Sequence, residues 1–145
     1  MDVRDVMRRL NTALSRIDFA YARLGKKYGL TFNSLMAVYV ITSHEYVTQQ
    51  LLCEALNLPK STVHSILKEF MKSGYVKLQD GADKREKQIS VTAVGHSFFA
   101  SINAETNMLE ASALRFLGED KCEALLNAAE NLADIISCMG IGEKK

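Results

Sequence analysis

The sequence predicts a mainly α-helical fold carrying one small β-hairpin. Two observations lead there. Apolar side chains recur every three or four positions over most of the 145 residues, and a single proline, Pro59, leaves room for long helices. Between residues 75 and 91 the period changes to two, in short runs on either side of a polar tip.

The elements follow in order. Val3, Val6, Met7, Leu10, Leu14, Ile17, Tyr21 and Leu24 make one stripe on a helix of about 23 residues, stopping near Lys26-Lys27-Tyr28-Gly29. Thr31 is placed to cap a second helix with Leu35, Val38, Tyr39 and Ile41. Thr48 is placed to cap a short third one, with Leu51, Leu52, Ala55 and Leu56, which Asn57-Leu58-Pro59 closes. Val63, Ile66, Leu67, Phe70 and Met71 mark a fourth, ending at Gly74. Tyr75 to Gln79 and Gln88 to Val91 alternate, and the segment between them contains an Asp80-Gly81 turn signal, so the pair reads as a hairpin. Thr92 then opens a helix to about Arg115, Gly118 breaks it, and Glu119 to Cys138 form the last. Its stripe is Cys122, Leu125, Leu126, Ala129, Leu132, Ala133 and Ile136, and the tail from Gly140 to Lys145 is expected to fray.

Composition narrows the possibilities. With 48% hydrophobic and 24% charged residues the chain has the balance of a globular protein, and its length suits a single domain over residues 1–145. No apolar run approaches the ~18–20 residues of a membrane span, and the N-terminus is charged where a signal peptide needs an apolar core. Cys53, Cys122 and Cys138 have no paired spacing, which fits a reducing cytoplasm. The formal net charge of +1 conceals an uneven distribution. Residues 1–27 carry seven basic and three acidic groups, and residues 60–91 seven and four, whereas residues 92–139 carry two and seven. A basic middle of this kind steers a polyanion to one face, unless the charges are merely solvated.

A short helix, a tight turn, a second helix and a hairpin with a basic tip make a winged helix-turn-helix, expected over residues 31–97. The major groove of B-DNA admits one α-helix, whose first turns read base edges. If Val63, Ile66, Leu67 and Phe70 face the core, then Ser61, Thr62, His64, Ser65 and Lys68 face outward. Short hydroxyls and a histidine suit base edges, and Lys60, Lys68 and Lys72 suit phosphates. Asp83, Lys84, Arg85 and Lys87 crowd the hairpin tip, where an arginine can enter a minor groove and Asp83 is spaced to orient its guanidinium. The competing readings are a solvated helix face and a flexible charged loop.

The residue order resembles the MarR family of bacterial transcriptional regulators. The resemblance lies in Thr48-Gln49-Gln50-Leu51-Leu52-Cys53-Glu54-Ala55-Leu56-Asn57-Leu58, in Lys60-Ser61-Thr62-Val63, and in Leu67 to Val76. The wing Asp83-Lys84-Arg85 and the closing Val91-Thr92-Ala93-Val94-Gly95 are its most specific parts. It implies a homodimer held by residues 1–28 and 98–139, with two recognition helices and two wings on a pseudo-palindromic double-stranded operator, commonly to repress. His64 and Ser65 stand where the family usually has arginines, and Pro59 replaces a serine-type cap. A small aromatic effector is also implied, for which Phe19, Tyr39 and Tyr46 are the candidate lining residues, with ordinary core packing as the alternative. The family's N-terminal redox cysteine has no counterpart here.

The stripes of the first and last helices support the dimer independently, because a winged helix of 67 residues needs neither to close its core. The alternatives are a monomer with those helices packed together and, at the level of function, a winged-helix protein-interaction module or a small-molecule binding protein. No phosphate-binding glycine loop, nucleophile elbow or paired-carboxylate motif occurs, so no enzyme activity and no cofactor is expected. His44, Glu45, His64 and His96 are scattered, without metal-ligand spacing.

Overall fold

The computed structural model describes residues 1–140; the expected fraying of the tail falls largely outside them. The element order is α1 (Val3–Lys27), α2 (Phe32–Ser43), α3 (Gln49–Leu56), α4 (Lys60–Lys72), β1 (Val76–Asp80), β2 (Lys87–Val91), α5 (Ala93–Leu117) and α6 (Glu119–Gly140). This is the mainly helical architecture with a hairpin wing that the periodicities predict. Two compact units divide the chain, residues 1–104 and the segment from Glu105 onward. No described helix is long and apolar enough to cross a membrane.

Local chemistry fixes the helix starts. The Asp2 carboxylate accepts from the Arg4 and Asp5 amides, Thr31 Oγ1 from Ser34 and Thr48 Oγ1 from Leu51. Each cap satisfies an amide that has no intrahelical partner. The end of α4 is equally determined. Gly74 takes φ +77°, the Tyr75 amide donates to the Phe70 carbonyl at 2.9 Å, and the Gly74 amide donates to Met71 at 3.0 Å. Phe70 and Tyr75 then meet ring to ring, 6.4 Å between centroids, so the turn is closed by hydrogen bonds and an apolar contact together.

The core of the first unit lies where α2, α3, α4, the base of the wing and the start of α5 converge. Val38, Leu52, Val63, Leu67, Phe99 and Ile102 are fully buried there. Each such side chain contributes about 1.5–3 kcal/mol relative to exposure. The Tyr75 ring stacks on Phe98 at 4.3 Å, and Phe99 packs against Phe70 at 5.5 Å. In the second unit, α6 buries none of its side chains.

The wing is an antiparallel pair in register from Val76↔Val91 to Asp80↔Lys87. A third segment joins it: the Ile89 amide donates to the Val47 carbonyl at 2.8 Å, and Thr48 bridges Gln88. The wing is thereby tied to the residues that open α3. Its other anchor is Thr92, whose hydroxyl donates to the Gly74 carbonyl at 2.6 Å and accepts from the Gly95 amide at 3.0 Å. Gly95 must lack a side chain, since a Cβ there would overlap the Tyr75 carbonyl and crowd Val91.

Candidate nucleic-acid interface

α4 divides as its apolar spacing dictates. Val63, Ile66, Leu67 and Phe70 are buried, whereas Lys60, Ser61, His64, Ser65, Lys68 and Lys72 are exposed. Thr62 differs from the expectation by being half-buried. Ser65 turns its hydroxyl proton back to the Ser61 carbonyl, 3.0 Å away, which leaves its oxygen free to accept. Pro59 makes no side-chain cap, although its carbonyl accepts from the Thr62 and Val63 amides. The Lys60 and Ser61 amides and the positive end of the α4 dipole therefore remain open to an anion.

The wing brings further cations to the same region. Lys60 of α4, Arg85, Glu86 and Lys87 of the wing, and Thr48, Gln49, Gln50 and Cys53 line one cleft of about 450 Å³, three cations against one carboxylate. Two inputs converge on it: the Val47–Thr48 tie that holds the wing beside α3, and the α3–α4 turn. Asn57 adopts φ +49° in that turn while the Leu58 amide donates to the Cys53 carbonyl at 3.1 Å. Cys53 is half-buried against the core, in keeping with a small side chain where the two helices pack. Gln49 and Gln50 belong to the family-like run but are not among the DNA-contact candidates that the sequence offers. Their position in the first turn of α3 is the signal that points to them, because side-chain amides there can donate to a phosphate.

At the tip, the Asp83 carboxylate accepts from the Arg85 backbone amide at 3.1 Å and does not hold the guanidinium. An aspartate two residues ahead reaches the nearer backbone donor first, which makes a tight local turn and leaves the Arg85 head exposed. Lys84 is exposed as well. Lys87 instead pairs with Asp80, directly opposite it in the ladder, Nζ to Oδ1 2.6 Å. The hydrogen bond from Lys87, and then its charge, holds the Asp80 carboxyl below the usual carboxylate range.

The three aromatic candidates lie on three different segments: α1, α2 and the stretch that follows α2. Phe19 is 66% exposed and lines a shallow groove along α1 with Thr12, Ser15, Arg16, Ala20 and Arg23. Tyr39 is exposed on α2, and the Tyr46 hydroxyl accepts from the Ala82 amide of the wing. His44 and His96 line a separate cleft beside β2, and no group of three metal-ligating side chains occurs among the described residues.

Comparison with known proteins gives a consistent picture of the fold. Residues 28–86 match the family model described as MarR family. The curated proteins give no match. Among solved structures, a MarR family regulator from Neisseria meningitidis is similar at TM-score 0.78 and 21% identity, over 92% of this chain and 94% of that one. MarR from Staphylococcus aureus, solved with salicylate and kanamycin, is similar at TM-score 0.76 and 15% identity, over 92% and 91%. A transcriptional regulator from M. tuberculosis, solved in complex with DNA, is similar at TM-score 0.63 and 21% identity, over 93% and 98%.

Proposed function

We propose that the chain, whose residues 28–86 match the MarR family model, is a MarR-type, sequence-specific regulator of transcription that binds double-stranded DNA. The observation that carries this reading is the meeting of Lys60, Arg85 and Lys87 beside an uncapped helix whose outward face is polar. In the proposed mechanism Lys60, Lys68 and Lys72 anchor phosphates and Ser61, Thr62, His64 and Ser65 face base edges in the major groove. Arg85 enters the adjacent minor groove, with Asp83 shaping the turn beneath it and Lys84 and Lys87 close to the backbone.

The working unit is a homodimer. Its support is the uncovered apolar surface: Leu125, Leu126, Ile135 and Ile136 of α6 and Val3, Leu14 and Ile17 of α1 are all at least 49% exposed. Two copies related by a twofold axis address two half-sites, hence a pseudo-palindromic operator, and occupation of a promoter by such a dimer represses. A small aromatic effector releases it by favouring a spacing of the two recognition helices that no longer matches successive grooves. The salicylate bound to the S. aureus relative supports that class of ligand. On this chain Phe19, flanked by Arg16 and Arg23, has surroundings suited to an aromatic acid.

The test is fluorescence anisotropy with the duplex upstream of the protein's own gene against a scrambled duplex. Strong preference for the native sequence supports a specific regulator. Equal weak binding to both favours the protein-interaction reading of the same fold.

A further inference from the structure

Tyr46 lies in the segment after α2, 36 positions before the residue it touches, yet its hydroxyl accepts a hydrogen bond from the Ala82 amide at 3.1 Å. Its neighbour in that contact is Gly81, where a Cβ would overlap the same hydroxyl. The loop that follows is a closed device. The Gly81 amide donates to the Glu86 carbonyl at 3.0 Å, the Glu86 amide to Asp83 at 2.9 Å, and the Arg85 amide to the Asp83 carboxylate. These bonds set the shape of the tip but tie it to nothing outside the hairpin. The tie to the body is made by Tyr46, with the Val47–Ile89 bond directly behind it.

We infer that Tyr46 is a positioning residue for the wing, which fixes the direction in which Arg85 is presented to DNA, and that Gly81 is glycine to let the Tyr46 hydroxyl approach. This rests on the DNA-binding reading above. An arginine on an untethered loop must lose its freedom on binding, whereas a tethered one has already lost much of it. In this inference the tyrosine itself makes no contact with DNA. Its effect on affinity passes through Arg85.

Replacing Tyr46 with phenylalanine removes the acceptor and keeps the ring. The expected result is about three- to tenfold weaker binding to the operator duplex, the range set by ordering one mobile side chain on binding, with a thermal midpoint lowered only slightly. The decisive measurement is the double-mutant cycle with Arg85→Ala: in that background Tyr46→Phe should change affinity no further. A second cycle reads the contact itself. Gly81→Ala should weaken binding in the wild type and much less in Tyr46→Phe, where the hydroxyl no longer occupies the space. Additive effects in both cycles would overturn the inference. Amide exchange at Ala82, faster in Tyr46→Phe, reports the tether without DNA, and unchanged exchange would overturn it too. If the wild type binds no duplex while Ala82 exchange responds as expected, the DNA-binding reading has failed and the tether has not.

Discussion

Lys87 and Asp80 face each other across the last rung of the wing ladder, next to its tip, and their side chains meet at 2.6 Å, so one of the wing's cations is already held by a carboxylate. Asp80→Asn should therefore strengthen DNA binding slightly, by no more than a few-fold, and make it steeper in salt, because Lys87 gains a phosphate as its partner. The same pair gives a pH dependence. The folded-state pKa of Asp80 is lowered, so its stabilising contribution is present above the ordinary carboxylate value and is lost as pH falls through the lowered one. Thermal midpoints at pH 5 and pH 2.5 should differ less in Asp80→Asn than in the wild type. Both carboxylate and lysine are well exposed, so the difference is small.

Gly95 and Thr92 hold the first turn of α5 against the start of the wing. Gly95→Ala drives a methyl group into the Tyr75 carbonyl, and should cost about 1–3 kcal/mol of stability, as overpacking does. Thr92→Val keeps the shape but loses the cap on Gly95 and the bond to Gly74, which should destabilise by about 1–2 kcal/mol. Chemical denaturation of both variants measures these values. Stability unchanged in Gly95→Ala would mean that the backbone there relaxes freely.

The exposed stripe of α6 should be the seam of the dimer. Leu126 is 58% exposed on a helix that buries no side chain of its own. Leu126→Glu removes an apolar group twice by symmetry, about 3–6 kcal/mol per dimer. Sedimentation equilibrium should then show a dimeric wild type and a monomeric variant with greatly weakened operator binding. A monomeric wild type would rule out the dimer.

Much of this fold is legible in the sequence, and the exceptions have physical reasons. Helices announce themselves by periodicity over many residues, and Thr31, Thr48 and Thr92 act as the caps their positions suggest. The exposed and buried faces of α4 follow from its apolar spacing, with Thr62 as the exception. Pairings between distant segments leave no such pattern. Val47 and Thr48 extend the wing sheet, but two residues are too few to show alternation. Tyr46 reaches the wing across a sequence separation that no motif encodes; the family resemblance offers it as a lining residue for an effector, with ordinary core packing as the alternative. The spacing of Asp83 from Arg85 suggests an ion pair, whereas the nearer backbone amide captures the carboxylate.

The most direct test of specific DNA binding is the affinity for the native upstream duplex and for a scrambled one, followed by anisotropy across a range of salt concentrations, with wild type and Lys60→Ala in parallel. The predicted preference for the native duplex is about 10³-fold or more. The predicted salt slope is shallower by about two in the variant, because each protomer then neutralises one phosphate fewer. Equal, weak binding to both duplexes, with the same slope in Lys60→Ala, would contradict a specific, phosphate-anchored interface.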